Sequence, residues 1–134
     1  MTDMTGFNWK SPDYNPIIRE RIERLKWMRA NVDLQPALRR YYRDNPWQFI
    51  DDWGVTSDPR LVDLGLPSSI PFRLFPRQTE WCRFIHEHWK DRKPGLSEKS
   101  RDQGLSWLSV SLAITLGLFN TGFVAGFGSR KQEY

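Results

Sequence analysis

The chain has 134 residues, 39% of them hydrophobic and 14% aromatic, too much apolar mass for a disordered chain and enough for one small domain or part of a larger one. Its net charge of +4 comes from 20 Lys and Arg against 16 Asp and Glu, too even a balance to argue by itself for nucleic acid. One cysteine, Cys82, and two histidines exclude an internal disulfide framework and any Cys/His zinc cluster of standard ligand count. The stretch 1–16 has no apolar run, so it does not read as a secretory signal.

Asn15-Pro16 predicts a helix start, because Asn can cap free backbone donors and Pro suits the first helical position. Ile17, Ile18, Ile22, Leu25 and Met28 then recur at helical spacing, which predicts an amphipathic helix over 16–30 with those residues inward. Its other face carries Arg19, Arg21, Arg24, Lys26 and Arg29, interleaved with Glu20 and Glu23, and reads as a solvated surface. Asp33 or Gln35 opens a second helix over 36–44 with Leu38, Tyr41 and Tyr42 inward. Asn45-Pro46 repeats the cap-plus-Pro device ahead of Trp47, Phe49, Ile50 and Trp53. Adjacent helical residues point about 100° apart, so Asp51-Asp52 is a poor shared metal or acid/base site and is expected to be surface charge. The Pro- and Gly-punctuated stretch 54–75 reads as a long irregular connection with room for a short strand. A further helix is expected over 76–91, with Trp81, Phe84, Ile85, His88 and Trp89 on one stripe. His86 and His88 diverge, which predicts one packed and one solvated histidine and no metal pair.

Charge is unevenly spread. Of the 36 charged side chains, 33 lie in 1–104, and 103–129 has none. A neutral run of that length is either a membrane span or the buried helix and strand of an α/β layer. Residues 105–119 span about 22 Å as a helix, short of the ~30 Å hydrocarbon core, and Asn120-Thr121-Gly122 follows as a stop. Phe123, Val124, Ala125, Gly126 and Phe127 read as a short buried strand. The α/β reading is the better one.

The chemistry-bearing stretch is 95–107. A short extended run is expected to end at Glu98 or Lys99, followed by a polar turn and by Gly104 opening the next helix. Strand, loop, helix and strand is the layout of a mononucleotide-binding unit, in which loop amides and the helix N-terminus cradle phosphate. The standard loop G-x-x-x-x-G-K-[ST] is matched only by Gly104 and Ser106; Leu105 stands where Lys is usual, and Lys99 replaces the first Gly. A strand–turn–helix containing one Gly and one Ser is common, so a plain helix cap is the competing reading. A cation at the front of such a loop faces the same anion as one at its end, so Lys99 and Arg101 could supply that charge.

Here the sequence resembles the large terminase subunits of tailed bacteriophages, the ATP-driven motors that package DNA into capsids. Their phosphate loop is often deviant, with its basic residue moved to the front, and Lys99-Ser100-Arg101-Asp102-Gln103-Gly104-Leu105-Ser106-Trp107 is similar to that version. Pro71-Phe72-Arg73-Leu74-Phe75-Pro76-Arg77-Gln78 resembles the family's adenine-recognition segment. Gly126 to Tyr134 is similar to the stretch after its second ATPase strand, and Tyr41 to Pro46 resembles its lead-in. The resemblance implies a helical lead-in over 1–70. It implies over 71–134 the start of a P-loop NTPase parallel sheet (strand–P-loop–helix–strand), incomplete: an α/β fold. It further implies nucleotide binding by Gln78, Lys99, Ser100, Arg101, Asp102, Gln103, Gly104, Leu105 and Ser106. Lys99 would meet the β/γ-phosphate, Arg101 would assist or sense it, and the Ser106 hydroxyl would hold Mg²⁺. Gln78 would read adenine, its amide donating and accepting at once. The implied cofactors are ATP and Mg²⁺. Implied partners of the intact family are double-stranded DNA, the portal protein and the small terminase subunit, with a homo-oligomeric ring only for the full-length protein, no membrane, and a place in the host cytoplasm.

The acidic strand end that such an ATPase needs does not follow the loop, where Glu133 is the only acid. The family's nuclease carboxylates are not in this sequence either. The expectation is an N-terminal fragment that does not hydrolyse ATP at a useful rate and whose neutral segment lacks neighbours on one face. A small structural or adaptor protein, and a membrane protein anchored by 105–127, are the alternatives.

Overall fold

A computed structural model describes residue 8 and residues 11–100 and 104–128. Helix α1 (Asn15–Ala30) is followed by one 3₁₀ turn (Val32–Leu34), α2 (Gln35–Asp44) and α3 (Pro46–Trp53). Strand β1 (Val55–Ser57) and strand β2 (Ser69–Pro71) flank a 3₁₀ segment (Pro59–Leu64), and α4 (Pro76–Lys90) and α5 (Leu105–Phe119) complete the order. Helices therefore dominate, with one small sheet among the described residues.

Proline opens each of the first four helices within the first two positions, where its missing N–H costs nothing and its fixed φ fits. The asparagines act at the other ends. The Asn45 side chain caps no donor of α3; instead its Nδ2, with the backbone N–H, donates to the Tyr41 carbonyl at 2.9 Å, closing α2. Asn31 and Asn120 do the same to Trp27 and Leu116. Each takes a carbonyl that the helix end leaves without an internal donor. That corrects the expected role of Asn45, and Asn15 lies inside α1 with no side-chain cap at its start.

The sheet is an antiparallel pair in the register Val55↔Pro71, Thr56↔Ile70, Ser57↔Ser69. It occupies the stretch in which a short strand was expected. Gly54 joins α3 to β1: its N–H donates to the Ile50 carbonyl and its carbonyl accepts from Phe72 N at 2.8 Å. A β-carbon at position 54 would collide with the Ile50 carbonyl oxygen.

The expected strands at 95–99 and 123–127 are not strands. Both stretches are irregular, and neither finds a ladder partner among the described residues, without which extended backbone leaves its N–H and C=O groups to water. What holds them is side-chain contact. Trp81 Nε1 donates to Ser97 Oγ at 3.0 Å, and Phe123 packs on the core and edge-on to Trp89, with ring centroids 5.5 Å apart. The parallel sheet is thus replaced by a helical assembly with one β-ribbon.

The core is Ile50, Phe72, Leu74, Cys82, Leu108, Leu112 and Leu116. Leu108, Leu112 and Leu116 recur every four residues and form the inward stripe of α5, which packs against α2, α3 and α4. Each such leucine contributes roughly 1.5–3 kcal/mol by leaving water. On α4 the inward positions are Gln78, Cys82 and His86, one step round the helix from the expected stripe. Phe84, Ile85 and His88 are only half-buried, and Trp89 is exposed.

α1 departs furthest from its hydrophobic pattern. Ile17 is buried, but Ile18, Ile22 and Leu25 are 44, 48 and 40% exposed. Its inward face holds Arg21 and Arg24 in their place.

Candidate functional site

The sequence points to the start of α5, and the fold builds that point from two helices. Gly104 precedes Leu105 with φ +67°, a left-handed backbone that suits glycine. The first intrahelical bond runs from Leu108 N to the Gly104 carbonyl at 3.0 Å. The amides of Leu105, Ser106 and Trp107 therefore have no carbonyl within the helix, and they carry its positive end. Ser106 and Trp107 are exposed, and Leu105 packs on the core. Ser109, Ser111 and Thr115 spend their hydroxyls on carbonyls four residues back, at 2.6, 2.9 and 2.8 Å. Ser106 sits in the first turn and has no helical carbonyl at that spacing. Trp107 Nε1 donates to the Val55 carbonyl at 3.3 Å, tying this turn to β1.

Gln78 arrives from α4. It is buried in that helix's first turn, where its Oε1 accepts from Phe75 N at 2.9 Å. Its Nε2 stands 3.4 Å from where a β-carbon on Gly104 would lie. The fold thus brings together the residue singled out for adenine and the glycine singled out for phosphate. Lys99 and Ser100 are exposed on the irregular approach, and the Lys99 ammonium donates to the Ser100 carbonyl at 3.4 Å. Arg101, Asp102 and Gln103 lie outside the described residues.

A second cluster was misjudged from sequence. Asp51 and Asp52 are not surface charge. Asp52 is buried: its Oδ1 accepts from Arg24 at 3.0 Å and Gln48 at 2.9 Å, and its Oδ2 accepts from the Tyr42 hydroxyl at 2.9 Å. Asp51 accepts from Leu74 N at 2.8 Å and pairs with the buried Arg73 guanidinium at 3.1 Å. Arg21 donates to the Asp51 backbone carbonyl at 3.1 Å. Trp53 Nε1 donates to the Tyr42 hydroxyl at 2.9 Å. Burial raises the Asp51 carboxyl above its ordinary value, against the pull of Leu74 N and Arg73. Burial first, then Asp52, pushes the Tyr42 phenol up. Burial and the neighbouring Arg73 lower Arg21. The two carboxylates do diverge, as adjacent helical residues must. Each then finds its own arginine, so they anchor α1 and the β2–α4 link to α3 and leave no shared acid/base pair.

His86 is the packed histidine, edge-on to Trp47 with centroids 5.7 Å apart and buried enough to lower its pKa. His88 faces the Phe84 carbonyl at 2.8 Å. Among the described residues no group of three or more His, Cys, Asp or Glu could hold a metal ion. None of their helices is long and apolar enough to cross a membrane. In comparisons with known proteins, no protein family, no curated protein and no solved structure matches the chain.

Proposed function

We propose that the start of α5 is a nucleotide phosphate site, and that the chain is the N-terminal part of a DNA-packaging motor ATPase of the terminase large-subunit type. The observation that carries this reading is the approach of Gln78 Nε2 to Gly104. A left-handed glycine and three amides without intrahelical acceptors lie beside that amide, and although Gln78 Oε1 already accepts from Phe75 N, in this reading the amide would turn to adenine. Lys99, Arg101 and the loop 99–106 would neutralise the β/γ-phosphates, and Ser106 would offer its hydroxyl to the nucleotide's Mg²⁺. The activity read here is nucleotide binding, because hydrolysis in this reading would also need an acidic strand to hold Mg²⁺ and position the attacking water. The outer face of α5 supports the same reading. Trp107, Val110, Ile114 and Leu118 are each about half exposed, as a helix is when a further apolar layer of its domain is to cover it. In this reading the partners are double-stranded DNA, the portal and the small subunit, in the host cytoplasm.

The test is a titration with a fluorescent ATP analogue and Mg²⁺. Saturable binding that falls at least tenfold in Lys99→Ala and in Ser106→Ala supports the site. Both residues are exposed, so neither change threatens the fold. A wild-type chain that binds no analogue, or variants that bind like it, ends the nucleotide reading.

A second reading, a helical adaptor without nucleotide, draws on one observation: no strand flanks the loop on either side among the described residues. It is favoured if neither variant matters.

A further inference from the structure

At the far end of α4, about 18 Å along the helix from Gln78, lies an open groove of about 770 Å³ lined by His88, Trp89, Lys90, Arg92, Lys93 and Pro94. Three of the six are cations. Lys93 pairs with Asp91 at 3.2 Å, and among the described residues Lys90 and Arg92 have no carboxylate within ion-pair distance. A helix C-terminus ordinarily repels anions through its unmet carbonyls. Here three of the last four carbonyls are covered. Asp91 N donates to the Glu87 carbonyl at 2.9 Å, Arg92 N to Trp89 at 3.1 Å and Lys93 N to His88 at 2.8 Å. This closing pattern usually has glycine where Arg92 sits. Arg92 holds φ +55° there, the only non-glycine residue at positive φ among those described, so its cation stands at the helix end at some cost in backbone strain. Beside it Trp89 is 39% exposed, its ring braced by His86 and Phe123.

We infer that this groove binds single-stranded nucleic acid, with a base stacked on the exposed part of Trp89 and the flanking phosphates on Lys90, Arg92 and Lys93. A braced indole next to cations, two of them without a carboxylate partner, is the pairing that such strands use, because a stacking platform reads any unpaired base and the cations follow the backbone. A duplex hides its bases from the indole, so the preference is for the single strand. The site shares no residue with the start of α5 and stands or falls without it.

The experiment is fluorescence anisotropy of the whole chain with a labelled 15-nucleotide oligothymidylate at low salt. The labelled duplex of the same length and the variants Arg92→Gly and Trp89→Ala are run in parallel. Arg92→Gly removes a cation while relieving backbone strain, so any loss it causes is not a loss of fold. The expected result is single-strand binding that weakens several-fold in Arg92→Gly and about five-fold or more in Trp89→Ala. Binding should also fall steeply as salt rises. Failure of the wild type to bind the single strand overturns the proposal. So does duplex binding of equal strength, or an Arg92→Gly variant that binds as the wild type does.

Discussion

α1 and α5 are of nearly equal length, 16 and 15 residues, and they dock in opposite ways. α5 has no charge, and it buries one leucine stripe while leaving a second apolar stripe in water. α1 carries five cations, and it turns Arg21 and Arg24 inward while leaving three of its aliphatic residues outside. The reason lies in what each helix meets. α5 meets Ile50, Phe72, Leu74 and Cys82, and apolar area decides its rotation. α1 meets the end of α3, where the buried Asp52 carboxylate takes Arg24 and the Asp51 backbone carbonyl takes Arg21, and these polar groups withdrawn from water demand donors more urgently than three isoleucine or leucine side chains demand cover.

The strongest way to break this contrast is Asp52→Ala. It strips the acceptor from Gln48 and the Tyr42 hydroxyl and leaves Arg24 with Glu20 alone, and should cost about 3 kcal/mol in chemical denaturation, with α1 losing amide protection before the rest. Leu112→Ala on the inward stripe of α5 should cost about 2–5 kcal/mol. Ile114→Ala on its outer stripe, and Ile22→Ala on α1, should each stay within about 0.5 kcal/mol of wild type. If Ile22→Ala proved as costly as Leu112→Ala, α1 would have to be rotated from the position described. Arg92→Gly should add about 1 kcal/mol by relieving a left-handed residue, read as a higher denaturation midpoint.

The smallest effect is a pH dependence. Burial lowers the pKa of His86 below 6.5 in the folded chain, so the unfolded chain takes up its proton first as pH falls. Stability from this group is present above pH 6.5 and is lost as the pH falls below it. A melting curve at pH 5.5 against one at pH 7.5 should show the loss in wild type and less of it in His86→Phe.

Where local chemistry sufficed, the sequence was legible. The span Leu105–Phe119, with its Gly104 start, is the helix expected, and proline placed the starts of the earlier helices to within a residue or so. Periodicity located α1 but misjudged its facing, because the pattern Ile17, Ile18, Ile22, Leu25 says nothing about two carboxylates on another helix. The Asp51-Asp52 reading had the right angle between the side chains and the wrong surroundings, since the arginines that serve them come from distant positions 24 and 73. The strands at 95–99 and 123–127 were drawn from composition, and a strand is a property of a pair. At the candidate site, the meeting of Gln78 with Gly104 is a tertiary fact that the spacing along the chain could only suggest.

Gly54 sits where the first three helices hand over to the β-ribbon, and its missing side chain has a consequence for how the protein tolerates change. One backbone unit there is bonded forward to Phe72 and backward to Ile50, so together with the Asp51 bonds to Leu74 and Arg73 it sets the angle between helix and ribbon. Variation at that position would be transmitted as a tilt of the whole Phe72–Leu74 segment. The molecule should therefore accept many alterations along its exposed helical faces and almost none at this one corner.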